Sequence, residues 1–147
     1  MYYNLVYCYL NYNVCSYAST YDTHTYRLYL LQKRVIRNIN NAHFLSHTDP
    51  LFYTCNILKI HDIYKLYVGL FIFERQHSNQ YSHTHEYNTR THGDLIPNRT
   101  RLTVSKNSMS VAGPNIWNSI PSEIQDSTYH NLFKQEYKNY LLSFYDE

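Results

Sequence analysis

From Tyr26 to Asn40 the apolar positions Leu28, Leu31, Val35 and Ile39 recur at steps of three and four, the spacing that lines side chains along one stripe of an α-helix. Lys33, Arg34 and Arg37 fall on the far side, where Leu30 interrupts them, so the pattern predicts an amphipathic helix with a basic outer face. After a polar turn, Thr48-Asp49-Pro50 reads as a helix start. Aspartate can accept from the free amides of a first turn, and proline arrives with the φ of the first helical position. A short helix over Leu51 to Cys55 is expected there. His61-Asp62 opens a third helix, in which Ile63, Tyr64, Leu66, Tyr67, Val68 and the run Leu70 to Phe73 leave almost no polar face. Such a helix has to be buried on most sides.

Gln76 to Asn88 is polar, rich in histidine and without period, and reads as a loop. In residues 89–112 the short β-branched runs Leu102-Thr103-Val104 and Met109-Ser110-Val111 leave room for a short β-hairpin between residues 94 and 112. Thr128 to Phe144 returns to helical spacing through Tyr129, Phe133, Tyr137, Tyr140 and Phe144. The expected fold is mainly α, a small domain of four or five helices. Its 147 residues suffice for one modest core.

Composition adds one oddity. Of 18 tyrosines, nine lie among the first 29 residues, a surface of apolar rings and hydroxyls that needs something to pack against. Cys8, Cys15 and Cys55 are an odd number without CxxC spacing, which argues against a disulfide framework and a zinc ribbon. The first basic residue is Arg27, and the longest apolar run, Leu66 to Phe73, is far short of a bilayer span. The chain therefore reads as intracellular, cytoplasmic or nuclear, with no membrane partner. In that setting the sequon Asn98-Arg99-Thr100 is idle.

Candidate chemistry is sparse. With only Gly69, Gly93 and Gly113, no phosphate-cradling loop or nucleophile elbow can be built. Paired-metal phosphoryl transfer needs carboxylates converging on cations about 3.5–4 Å apart, and the only adjacent acidic pair is Asp146-Glu147. His43 with His47, and His83 with His85, have spacings that could ligate a metal. His43 and His47 bracket a predicted helix end, and His83 and His85 lie in a polar loop with no cysteine nearby. No metal, cofactor or catalytic residue is therefore assigned, and a His-based metal-binding protein stands as the last of the alternatives. The basic residues carry more. Arg90, Arg99, Arg101 and Lys106 share a window whose only acid is Asp94, and Lys33, Arg34 and Arg37 have no acid on their face. Clusters of this kind suit an RNA or DNA backbone, where each neutralised phosphate releases counterions. The net charge of +2 is too small to argue the same from the total.

The stretch "GPNIWNSIP" (113–121) holds the one tryptophan and two of the four prolines. Pro114 and Pro121 remove donors and fix φ, and Trp117 between Ile116 and Ile120 supplies a large apolar plug. We read Trp117, Pro114 and Pro121 as a structural anchor that docks the last helix. Stacking of Trp117 on a nucleotide is the alternative.

Taken in order, "RLYLLQKRVIRNIN" (27–40), "AHFLSHTDPLFYTCNILKIHDIYKL" (42–66), "EYNTRT" (86–91) and "GPNIWNSIPSEI" (113–124) resemble the C-terminal segment of jockey-like non-LTR retrotransposon polyproteins. More loosely, "YYNLVYCYLNYNVCSYASTY" (2–21) is similar to the stretch that follows the reverse-transcriptase palm in the same proteins, although Tyr17-Ala18 stands where they usually carry Trp-Gly. The resemblance implies a truncated downstream fragment of an RNA-directed DNA polymerase without its Tyr-x-Asp-Asp turn. It implies no enzyme activity, an accessory role against nucleic acid, and the upstream polymerase region of the parent protein as partner. A structural fragment without a function of its own is the other reading. The organisation expected is a Tyr-rich remnant over 1–24 and a helical domain over 25–147 with a polar loop at about 76–93. With that partner absent, residues 1–24 should pack poorly, leaving the core between Leu28 and Phe144.

Overall fold

A computed structural model of the chain describes residues 2–77 and 94–145. A π-helical stretch, Tyr3–Tyr7, runs into α1 (Cys8–Asn11) and α2 (Val14–Tyr17), followed by α3 (Asp22–Ile39), α4 (Asp49–Thr54) and α5 (Ile60–His77). Then come α6 (Thr103–Lys106), α7 (Met109–Asn118), α8 (Ser122–Gln125) and α9 (His130–Ser143). The fold is mainly α, with five described helices of six residues or more and single turns between them. The expected loop at 76–88 begins later, since α5 runs through His77; its remainder lies outside the described residues. By packing, the chain divides into two compact units, Met1–Tyr64 with Lys138–Glu147, and Lys65–Tyr137.

In the first unit, α3 turns a different face inward from the one its apolar spacing predicts. Thr25, Gln32 and Ile36 are buried, whereas Leu31 is 54% exposed and Ile39 is exposed as well. The reason is a polar requirement. Gln32 Nε2 donates to the Leu58 carbonyl and to Tyr2 Oη, each at 2.8 Å, and its Oε1 accepts from the Ile60 amide at 3.0 Å. Ile60 opens α5, so its N–H has no partner within its own helix. A buried amide of that kind must be satisfied by a side chain, and Gln32 does so while meeting its own needs.

The N-terminal segment, expected to pack loosely, is covered only in part: Leu5, Tyr9 and Tyr12 are 58%, 81% and 82% exposed, while the same network ties in Tyr2. Tyr2 is 4% exposed under Gln32, Val14 is buried, and Tyr3 Oη donates to the Asn56 carbonyl at 2.9 Å. Tyr17 Oη donates to the Leu10 carbonyl. Tyr3 and Tyr17 thus donate their hydroxyls to carbonyls, while the hydroxyl of buried Tyr2 accepts from Gln32 Nε2.

Asparagine supplies the stops that glycine usually supplies. Asn41 and Asn56 sit in the left-handed region at φ 49° and 55°. Behind them Ala42 donates to Arg37 O at 2.9 Å and Ile57 to Phe52 O at 3.0 Å. These are the bonds that close a helix whose C′ residue is left-handed, a role asparagine fills at less steric cost than other non-glycine residues.

The helix α4 starts where expected, with Pro50 in its first turn, but Thr48 and Asp49 make no side-chain cap. The Asp49 carboxylate instead lies 3.0 Å from Lys59 Nζ. Asp62, expected near a helix start, is buried and accepts a short hydrogen bond from Tyr145 Oη, which in turn accepts from the Lys59 amide at 3.0 Å.

The second unit is built on stacked aromatic rings. Phe133 lies 4.6 Å from Phe73 and 5.7 Å from Trp117, both nearly parallel, and 5.7 Å from the tilted ring of Tyr137. Gly69 lets α5 approach, since a Cβ there would lie 2.9 Å from the Tyr137 ring. The stripe expected on the last helix is buried at Phe133 and Tyr137, while Tyr129 and Phe144 at its ends are exposed.

No strand occurs among the described residues, which corrects the hairpin expected between 94 and 112. Residues 94–100 are irregular, Thr103 falls in α6, and Met109-Ser110-Val111 begins α7. Val111, Pro114 and Trp117 are buried at steps of three, a helical period that a strand could not satisfy. The backbone groups of Leu95 that a partner strand would need are taken by Asn118, whose Nδ2 donates to Leu95 O at 2.9 Å while its Oδ1 accepts from Leu95 N at 3.0 Å.

Candidate nucleic-acid interface

The predicted basic residues fall into two groups that the fold treats differently. On α3 only Arg34 projects freely among Lys33, Arg34 and Arg37. Lys33 Nζ sits 4.5 Å from the centroid of the Tyr29 ring, a cation–π contact along one helix face. Arg37 folds back on the loop after α3. Its Nε and Nη2 donate to the Ser46 carbonyl at 3.1 and 3.0 Å, and its guanidinium lies over Phe44. A charge spent on holding Ser46 is a poor phosphate ligand, so the basic face expected on α3 is reduced to one outward arginine.

The second group is different. Arg99, Arg101 and Lys106 are all exposed, and among the described residues none is paired with a carboxylate. Arg90, expected to join them, lies outside the described residues, as do His83 and His85.

The segment bearing these cations is fixed by helix α7 at the end that precedes Arg99. Pro114, buried inside that helix, has no N–H to offer the Ser110 carbonyl one turn earlier. The Asn98 amide approaches that carbonyl at 3.4 Å. With the grip of Asn118 on Leu95, this anchors residues 95–98 just before Arg99. Beyond Arg101, the Ser105 amide donates to Leu102 O at 3.1 Å and the Ser108 amide to Ser105 O at 3.1 Å, forming the turns that carry Lys106. Pro114 thus holds the segment through the acceptor it leaves open, a role that its spacing alone does not disclose.

Trp117, at 2% exposure, stacks on Phe133 and cannot offer its ring to a base in the folded chain. Pro121 is half-buried and opens α8, its carbonyl accepting from Ile124 and Gln125. Gln125 Nε2 closes the end of α7 by donating to Trp117 O at 2.8 Å and Ile120 O at 2.9 Å.

No group of three or more histidine, cysteine or acidic side chains is placed to hold a metal among the described residues. His43 is exposed and its Nδ1 accepts from the Leu45 amide at 3.3 Å. The cysteines are free thiols; burial pushes Cys15 above its usual range, away from the reactive thiolate. What the exposed segment offers chemically is positive charge at Arg99, Arg101 and Lys106. Arg27, Lys65, Arg75 and Lys134 are exposed cations outside the predicted set, and of these Arg27 shares α3 with Arg34 at a spacing of seven. No described helix is long and apolar enough to cross a membrane. Compared with family models, curated proteins and solved structures, the chain matches none.

Proposed function

We propose that this chain is a nucleic-acid-contacting accessory segment, derived from the region downstream of the palm of a jockey-like non-LTR retrotransposon reverse transcriptase, and that it makes no polymer itself. The observation that carries the contact role is the exposed, carboxylate-free set Arg99, Arg101 and Lys106 on a segment held by Asn118 and Ser110. Three cations on an anchored backbone favour a phosphate chain over a single small anion, and they specify no base.

Binding to fluorescent single-stranded RNA and DNA tests this. Affinity should fall with salt, with a log–log slope near −0.7 per phosphate neutralised, so about −2 for three contacts. Arg99→Ala, Arg101→Ala and Lys106→Ala together should remove that dependence, whereas salt-insensitive binding, or binding unchanged in the triple variant, would reject the contact role. The polymerase-free reading is tested by primer extension on an RNA template, where product above a buffer control would overturn it. A structural fragment without its own function is the second reading. It is favoured on α3, where Lys33 and Arg37 serve the fold.

A further inference from the structure

Helix α3 carries an apolar stripe that the described residues leave partly uncovered. Leu31 and Ile39 are 54% and 38% exposed, and Leu28 and Val35 on the same stripe are half-covered. Alongside, the π-helical stretch contributes a second wall. Tyr2, Leu5 and Val6 with Val35, Asn38 and Ile39 enclose an open groove of about 330 Å³. From Leu28 to Ile39 the stripe runs about 16 Å at 1.5 Å per residue, the reach of three helical turns. A contiguous apolar strip with two of its four side chains exposed is more than scattered surface residues and suits recognition of a partner.

Charge narrows the occupant. Arg27 and Arg34 are exposed four residues before and three after Leu31, which places both on one edge of the stripe. No Asp or Glu occurs from residue 23 to residue 48 to balance them. A second copy of α3 packed antiparallel about a two-fold axis would set arginine edge against arginine edge, an unfavourable pairing. A helix with its own apolar stripe and an acidic edge satisfies both features at once, its apolar anchors filling the groove and its carboxylates facing Arg27 and Arg34. We infer that the α3 groove docks an amphipathic helix of another protein whose apolar stripe is bordered by glutamate or aspartate. This is independent of the nucleic-acid reading, which rests on Arg99, Arg101 and Lys106.

The whole chain is titrated with a synthetic helical peptide of about 18 residues, carrying leucine at i, i+3, i+4 and i+7 and glutamate along one edge, and with a twin that carries lysine there. The glutamate peptide should bind about tenfold more tightly or better, and Arg27→Glu with Arg34→Glu should reverse that order. Leu31→Ser should weaken binding about tenfold while leaving the circular-dichroism spectrum unchanged, because Leu31 is exposed. Equal binding of the two peptides, no binding of either, or an order that ignores the charge reversal overturns the inference. So does a concentration-dependent dimer abolished by Leu31→Ser, which makes a second copy the occupant. Competition by RNA that persists when Arg99, Arg101 and Lys106 are alanine also overturns it, since the groove edge would then be a nucleic-acid site.

Discussion

Asn118 holds Leu95 by both of its backbone groups, donating to the carbonyl at 2.9 Å and accepting from the amide at 3.0 Å, across 23 residues of sequence. One side chain at the end of α7 thus does the work of a neighbouring strand and buries Leu95. Asn118→Ala leaves that amide and carbonyl without their partners, and should lower stability by about 1–3 kcal/mol in urea unfolding. Asn118→Asp keeps the acceptor but sets a carboxylate oxygen against the Leu95 carbonyl, so it should not restore the stability that alanine loses. If alanine is silent, the segment before Arg99 is held by something else.

Gln32 and Leu31 are adjacent, and their expected costs run opposite to their hydrophobicity. Gln32→Ala removes three hydrogen bonds from a buried site, including the one that satisfies the first amide of α5, and should cost about 1–3 kcal/mol or more. Leu31→Ala changes an exposed position and should stay within about 0.5 kcal/mol. Paired thermal melts decide the matter, and a larger loss at Leu31 would mean that the inward face of α3 is the one its apolar spacing predicts.

Alkaline pH should weaken the fold through its buried phenols. Burial, offset in part by the hydrogen bond from Gln32, pushes Tyr2 from 10.0 up to about 12. Burial and then the nearby Asp62 carboxylate raise Tyr145 further. For a group whose folded value is raised, the unfolded chain releases the proton first. The stabilisation is therefore complete below about 10 and is lost as pH climbs from there toward the folded values. Melting temperatures across this window should fall, and Tyr2→Phe should flatten the fall from about 10 to about 12. An unchanged slope in Tyr2→Phe would show that Tyr2 is not among the groups responsible.

Trp117 and Gly69 test the aromatic core of the second unit from two directions. Trp117→Ala leaves a void beside Phe133 and should cost about 3–5 kcal/mol. Gly69→Ala adds one methyl 2.9 Å from the Tyr137 ring and should cost about 1–3 kcal/mol, even though alanine is the better helix former. Stabilisation by Gly69→Ala would mean that Tyr137 moves aside freely.

What the sequence determined by itself was the local part: the long helices, the start of α4 at Pro50, the near-total burial of α5, and the isolation of Trp117 among apolar neighbours. These follow from spacing and from the fixed φ of proline, which act over a few residues. Tertiary structure decided which face of α3 turns inward, because an unpaired amide at Ile60 and the carbonyl of Leu58 required a polar side chain. It also turned residues 94–112 from a predicted hairpin into an irregular stretch, the single turn α6 and the start of α7, with the backbone groups of Leu95 taken by Asn118. The candidate interface was legible as a cluster of charges, yet which of them stay free was not. Lys33 lies over Tyr29 one helical turn earlier, a pair local to α3, and Arg37 was claimed by Ser46 in the loop beyond the helix, whereas Arg99, Arg101 and Lys106 face solvent with no carboxylate among the described residues to meet them.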